Sequence, residues 1–267
     1  MMLALHEEAA GPTMDLTPTP CCTLVVPCYN EELRFHADAF TAFLAAQPDV
    51  HLLFVNDGSR DGTLGRLRAF CAEHPGQTSL LDIQPNGGKA EAVRKGMLHA
   101  MATLPGSTVG FWDADLATPL DAYPEFREVL ESCPEVEMVF GARIRLLGRH
   151  VARNPMRHYA GRVFATTVSV MLKLAIYDSQ CGAKVFRATS RLEQVLRQPF
   201  VSRWIFDVEI LARFLSSWRA EGLNPDGRIY ELPLQTWIDV PGSKVKLSDF
   251  IRSFTDLLRI RQDIPNR

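Results

Sequence analysis

Two aspartates one residue apart, Asp113 and Asp115, close the apolar run Val109-Gly110-Phe111-Trp112. Carboxylates at the end of a buried strand are costly without compensation, and two side by side also repel each other. A hard divalent cation removes both penalties. Mg²⁺ or Mn²⁺ takes only one or two protein carboxylates and completes its shell with phosphate oxygens and water. The pair Asp115 and Asp113 therefore reads as a metal site that also holds a phosphorylated ligand. A solvated turn at the end of a strand is the plain alternative for three residues taken alone, so the neighbouring motifs must decide.

Three other polar motifs follow apolar runs. Pro27-Cys28-Tyr29-Asn30-Glu31 offers an aromatic face at Tyr29 and a carboxylate at Glu31. Asp57 opens Asp57-Gly58-Ser59-Arg60-Asp61-Gly62-Thr63, where the glycines permit tight turns, Asp57 can accept from the N–H of a base such as uracil, and Asp61 can cap the next helix. Simple capping also satisfies Asp57. Asn86-Gly87-Gly88-Lys89 opens a helix, where exposed N–H groups and the Lys89 ammonium suit a diphosphate; a structural glycine turn is the other reading. Ala90 follows the lysine where a P-loop needs Ser or Thr, and no Gly-x-Gly-x-x-Gly occurs, so neither a P-loop nor a dinucleotide cofactor is expected.

The elements that must position these motifs follow from periodicity. Strands are predicted over 23–27, 52–57, 79–83, 108–113 and 136–141, with helices over 31–46, 63–73, 89–101 and 123–132. Apolar strands alternating with helices imply an α/β fold, a Rossmann-like, mostly parallel sheet covered on both faces. Such sheets bind ligands beyond the carboxyl ends of their strands, where all four motifs fall. The second half changes rhythm. A long apolar helix is predicted over 156–177, a short run over 183–186, a helix over 206–218, a strand over 229–237 and a basic amphipathic helix over 247–262.

The 267 residues suit one domain, here 21–262, behind a disordered lead at 1–20 and before a tail at 263–267. Its donor half is expected at 21–120 and its acceptor half at 121–262. Hydrophobic residues make up 46% and charged residues 22%, with a net charge of -2, which gives no ground for a nucleic-acid partner. No run reaches the ~18 apolar residues of a spanning helix, and Glu7 and Glu8 stand where a secretory signal would be basic. The six cysteines show no zinc spacing and read as reduced thiols of a cytoplasmic protein.

The ordered set Val26-Pro27-Cys28-Tyr29-Asn30-Glu31, Asn56-Asp57-Gly58-Ser59, Asn86-Gly87-Gly88-Lys89 and Asp113-Ala114-Asp115 resembles the family 2 glycosyltransferases, which have the GT-A fold. Two longer motifs, Asp178-Ser179-Gln180-Cys181-Gly182-Ala183-Lys184-Val185-Phe186 and Arg203-Trp204-Ile205-Phe206-Asp207-Val208-Glu209, resemble the dolichyl-phosphate β-glucosyltransferase branch. Gly242-Ser243-Lys244, before the basic C-terminal helix, is similar to that branch too. The resemblance covers residues 23–261. It implies that Pro27, Tyr29, Glu31, Asp57, Lys89 and Asp113 hold a UDP-sugar, with Mg²⁺ or Mn²⁺ on Asp113 and Asp115, and that a hexose passes with inversion from UDP-glucose to a polyprenyl phosphate.

On the acceptor side, Gly141-Ala142-Arg143 resembles the family's Gly-Ser-Arg motif, with Arg157 as the second cation. Arg145, Arg149 and Arg153 form either a basic rim or a solvated charge run. A hydroxyl acceptor, a sugar or polyol, is the alternative and needs a general base. Asp207 is the choice over Glu209, since residues two apart do not share a helix face; capping or pairing with Arg203 is the other use of Asp207. A nucleotide-sugar binder without turnover ranks below both. The amphipathic helices allow peripheral contact at the inner face of the cytoplasmic membrane, although such helices also simply pack on cores.

Overall fold

The computed structural model describes residues 21–104, 106–152, 155–240 and 247–262, with the backbone alone at 152, 155–160, 247–251 and 262. The lead at 1–20, the tail at 263–267 and the Gly242-Ser243-Lys244 motif lie outside the described residues.

Five strands and four helices alternate first: β1 Cys22–Cys28, α1 Ala37–Ala46, β2 Val50–Asp57, α2 Thr63–Glu73, β3 Thr78–Ile83, α3 Lys89–Thr103, β4 Thr108–Trp112, α4 Tyr123–Ser132 and β5 Met138–Ala142. Then come β6 His150–Ala152, α5 Pro155–Leu172, β7 Ala183–Arg187, α6 Ser190–Arg197, α7 Phe206–Ala220, β8 Ile229–Pro233, β9 Thr236–Ile238 and α8 Leu247–Gln262. The main sheet has seven strands in the order β3-β2-β1-β4-β7-β5-β8. All its pairings are parallel except those of β7 with β4 and with β5. The mixed α/β architecture expected from the sequence is present.

Every residue of β2 is buried and β1 is nearly so, because helices cover both sheet faces. Period-two alternation divides their side chains. Leu24, Val26, Leu52 and Phe54 face α1, α2 and α4, where Phe35, Phe40, Phe54 and Phe70 form a ring cluster. Val25, Leu53 and Val55 face α3, with α5, α6, α7 and α8 completing that layer. Gly96 lets α3 approach closely: a Cβ there would come within 2.5 Å of Val25 and 2.9 Å of Val55.

Four sequence expectations need correction. The helix expected over 31–46 starts only at Ala37, because Asn30 to Glu32 are tied to the next loop. Asn30 takes φ 52, its N–H donates to Ser59 Oγ, Glu31 N–H donates to Thr63 Oγ1 at 2.8 Å, and Glu32 accepts from Gly62 N–H. The helix expected to run to 177 stops at Leu172, where Lys173 adopts φ 53 and Ser169 binds Leu174 through both backbone and side chain. The single strand expected over 229–237 divides into β8 in the main sheet and β9, which pairs with β6. Helix α6, capped by Thr189 accepting from Leu192 N–H, is an element the sequence reading omitted.

Candidate active site

β1, β2 and β4 run parallel, so the residues after Cys28, Asp57 and Trp112 emerge at one edge of the sheet. β7 runs the other way, with Ala183 opposite Trp112, which brings the loop before it to the same edge. The N-termini of α3 and α7 supply Lys89 and Asp207 there.

Carboxylates and lysines interleave at this edge. Lys89 Nζ lies 2.5 Å from Asp113 Oδ1. Burial works against the Lys89 charge, yet Asp113, Asp207 and Asp115 together outweigh it and raise its pKa. Asp115 accepts from Ala117 N–H at 3.1 Å. Burial, reinforced by repulsion from Asp113, pushes its carboxyl above the usual aspartate value. Asp113 also packs against position 182, where a Cβ would fall 1.9 Å from its Oδ2. Only glycine leaves room for the carboxylate.

These two side chains fit a divalent cation of the magnesium or manganese kind. Among the described residues no group of three or more His, Cys, Asp or Glu could hold a metal. Mg²⁺ needs only one or two carboxylates when a phosphorylated ligand supplies the rest. A cation here would also relieve the repulsion that raises Asp115.

Asp207 does not pair with Arg203. Its Oδ1 lies 2.6 Å from Lys184 Nζ, and the Lys184 side chain is 0% exposed. That ammonium also donates to Cys181 O at 2.6 Å and sits over the Phe111 and Phe140 rings. Glu209 turns away, accepting from Val201 and Ser202 N–H and pairing with Arg213. The two carboxylates part as helix geometry requires. Lys184 was given no role by the sequence reading; its signal is a lysine among the apolar residues Ala183, Val185 and Phe186 of β7.

Asp57 is buried and latches the glycine turn. Its Oδ1 accepts from Gly87 N–H at 2.7 Å, and its Oδ2 accepts from Gly88 N–H and Asn86 Nδ2, both at 2.8 Å. Those two amides are therefore engaged rather than open to an anion. Asp61 accepts from Thr63 N–H at 3.1 Å, at the start of α2. Glu31 is buried and ion-paired with Arg34 at 2.7 Å. Pro27, at the end of β1, and Tyr29, just beyond it, are half-buried at the same edge.

Of the residues expected on the acceptor side, Arg143 follows β5 and grips Asp178 through Nε at 2.6 Å and Nη2 at 2.7 Å. Trp237 lies against its guanidinium at 5.3 Å. Burial opposes the Arg143 charge, but Asp178 outweighs it and raises the pKa. Asp178 is set by Glu231, which accepts from the N–H groups of Tyr177 and Asp178. Arg145 and Arg149 are described without an ion pair to a carboxylate among the described residues, whereas the side chain of Arg157 and all of Arg153 lie outside the described residues.

The profile of Glycosyl transferase family 2 matches residues 23–190. The dolichyl-phosphate beta-glucosyltransferase ALG5C of Trichomonas vaginalis is 31% identical over 267 residues, covering 95% of this chain and 74% of that protein. The dolichyl-phosphate beta-glucosyltransferase of Drosophila melanogaster is 31% identical over 253 residues, covering 88% and 72%. Among solved structures, glucosyl-3-phosphoglycerate synthase of Mycobacterium tuberculosis, in complex with Mn²⁺ and uridine-diphosphate-glucose, superposes with a TM-score of 0.65 at 17% identity, covering 97% of this chain and 86% of that one. The last similarity concerns the fold alone.

Proposed function

The chain belongs to glycosyl transferase family 2, and from that membership we propose that it moves glucose from UDP-glucose, with Mg²⁺ or Mn²⁺, to a polyprenyl phosphate. Its relatives named as dolichyl-phosphate beta-glucosyltransferases support both the sugar and the acceptor class. The observation that carries the acceptor is Arg143. Asp178 holds its guanidinium by Nε and Nη2, which leaves the Nη1 edge for a phosphate.

The geometry supports a role for each residue. Oδ1 of Asp57 takes only one of the three bonds that latch the glycine turn, so a lone pair remains for the N–H of uracil. Tyr29 supplies an aromatic surface beside it. Asp113 and Asp115 would hold the metal, which when bound neutralises charge on the diphosphate. Lys89 and Arg143 bring positive charge from the donor and acceptor sides. An acceptor phosphate oxygen is already ionised and needs no base; it bonds to the anomeric carbon as UDP leaves with the electron pair, giving inversion in one displacement.

A hydroxyl acceptor fits less well, because Lys184 already engages Asp207 Oδ1 and leaves only Oδ2 to take a proton. Among the described residues no helix is long and apolar enough to cross a membrane. Contact with a lipid surface is supported instead by exposed Val163 and Val170 on α5 and Leu258 on α8. On α8, Leu257 and Ile260 pack into the core, so only part of that helix is open to such contact.

Replacing Arg143 by Lys keeps the charge and loses the fork. Transfer to undecaprenyl phosphate should fall about tenfold or more, the loss of roughly one charge-assisted bond, while Mn²⁺-dependent UDP affinity stays near wild type and the melting temperature falls, because the two-bond grip on buried Asp178 is lost. An unchanged transfer rate would remove Arg143 from the acceptor site.

A further inference from the structure

The cations and donors closest to the proposed donor site are already engaged. Lys89 is held at Asp113, Lys184 at Asp207, and the Gly87 and Gly88 amides at Asp57. A diphosphate adds negative charge to an edge that already carries Asp113, Asp115 and Asp207, and its departure as UDP adds more. One or two protein carboxylates with a divalent cation do not leave much positive charge over.

Arg203 stands apart from this pattern. It is exposed and, among the described residues, makes no hydrogen bond or ion pair. Its side chain lies across the turn that opens α3: a Cβ built on Gly88 would be 3.6 Å from Arg203 Cδ and 3.7 Å from its Nε. The loop that carries it is firmly held. Glu209 accepts from Val201 N–H at 2.9 Å and Ser202 N–H at 3.4 Å. Ser202 Oγ accepts from the N–H groups of Trp204 and Ile205 and donates to Asp256 of α8 at 2.7 Å. The backbone is fixed at both ends of the residue while the guanidinium stays open.

We infer that Arg203 contacts the diphosphate of the donor and holds it as it leaves. This rests on the nucleotide-sugar reading of the site. A planar fork of N–H donors matches two phosphate oxygens at once, and an arginine with no carboxylate to release meets no competing partner. The tie from Ser202 to Asp256 further means that α8 sets where this arginine stands.

The test is calorimetric binding of UDP and of uridine, both with Mn²⁺, to wild type, Arg203→Ala and Arg203→Lys. Arg203→Ala should weaken UDP about tenfold to a hundredfold, as expected for one or two lost charge-assisted hydrogen bonds, and leave uridine unchanged. Arg203→Lys should recover part of the loss. Because the residue is exposed, melting temperatures should match. If Arg203→Ala binds UDP as tightly as wild type, or loses UDP and uridine alike, the inference is overturned while the site reading stands. If wild type itself fails to bind UDP, the reading of the site falls and this inference with it.

Discussion

Asp113 owes its position to a missing side chain. The absent Cβ at Gly182 leaves the space that its carboxylate fills, and Lys89 holds its other oxygen. Gly182→Ala should therefore displace Asp113 and weaken Mn²⁺-dependent UDP binding about tenfold or more, with a stability loss of roughly 1–3 kcal/mol from the steric conflict. Calorimetry and urea denaturation on one preparation check both, and unchanged affinity would show that Asp113 has no part in holding the metal. Asp115→Asn should lose the same metal-dependent affinity without the steric cost, because it removes charge and leaves volume; it should melt no lower than wild type without metal, since burial and Asp113 already disfavour the ionised group. At this scale the acidic pair stood out only beside its neighbours, because Asp113-Ala114-Asp115 alone fits a solvated strand-end turn and the other polar motifs after apolar runs had to raise it. Lys184 did not stand out. A lysine in a strand reads as solvent-facing, and only the tertiary fold brings Phe111, Phe140 and Asp207 around it. Removing one partner of such a buried pair typically costs about 3–5 kcal/mol, so its variants speak first to stability. The Asp57 latch was hidden for a similar reason: its partners lie about thirty residues along the chain.

Among the elements, the loop before α7 shows how a helix start holds a functional side chain. Glu209, in the first turn, accepts from two loop amides and pairs with Arg213. Burial pushes its carboxyl above the ordinary 4.5, against the pull of Arg213 and of the Ser202 and Val201 amides. In the window between 4.5 and the higher folded value, the folded chain binds the extra proton. This group's contribution to stability therefore falls as pH rises through that window. Wild type should lose stability relative to Glu209→Gln as pH is raised there, read from urea denaturation at stepped pH; a difference of the opposite slope contradicts the burial argument. The alternating strands and helices up to β5 were readable because β1, β2, β4 and β5 bury on both faces and read as continuous blocks, while the edge strand β3 is only half-buried. The later part was less so. β7 is a short run whose antiparallel insertion between β4 and β5 depends on pairing, not on its own pattern. The break between β8 and β9 comes after Pro233, where Leu234 N–H turns to Ala142 O, a tertiary choice that alternation does not reveal.

For the whole molecule, one sheet edge collects the donor motifs from β1, β2, α3 and β4 and sets them beside Arg143, Asp178 and the loop before α7. The loop from Asp178 to Gly182 joins the two sides: its first residue fixes Arg143 and its last makes room for Asp113. This contiguity would let a bound sugar nucleotide and an acceptor phosphate meet, and it supports the proposal that both belong to one reaction. The most direct test is transfer itself. Purified protein is incubated with radiolabelled UDP-glucose, Mn²⁺ and undecaprenyl phosphate, with parallel arms containing glucose or glycerol as acceptor. The account predicts label in the organic phase as a β-linked glucosyl phospholipid, UDP released in equal amount, and loss of both on chelation. Label passing only to the soluble hydroxyl acceptors, with none in the lipid, would contradict it.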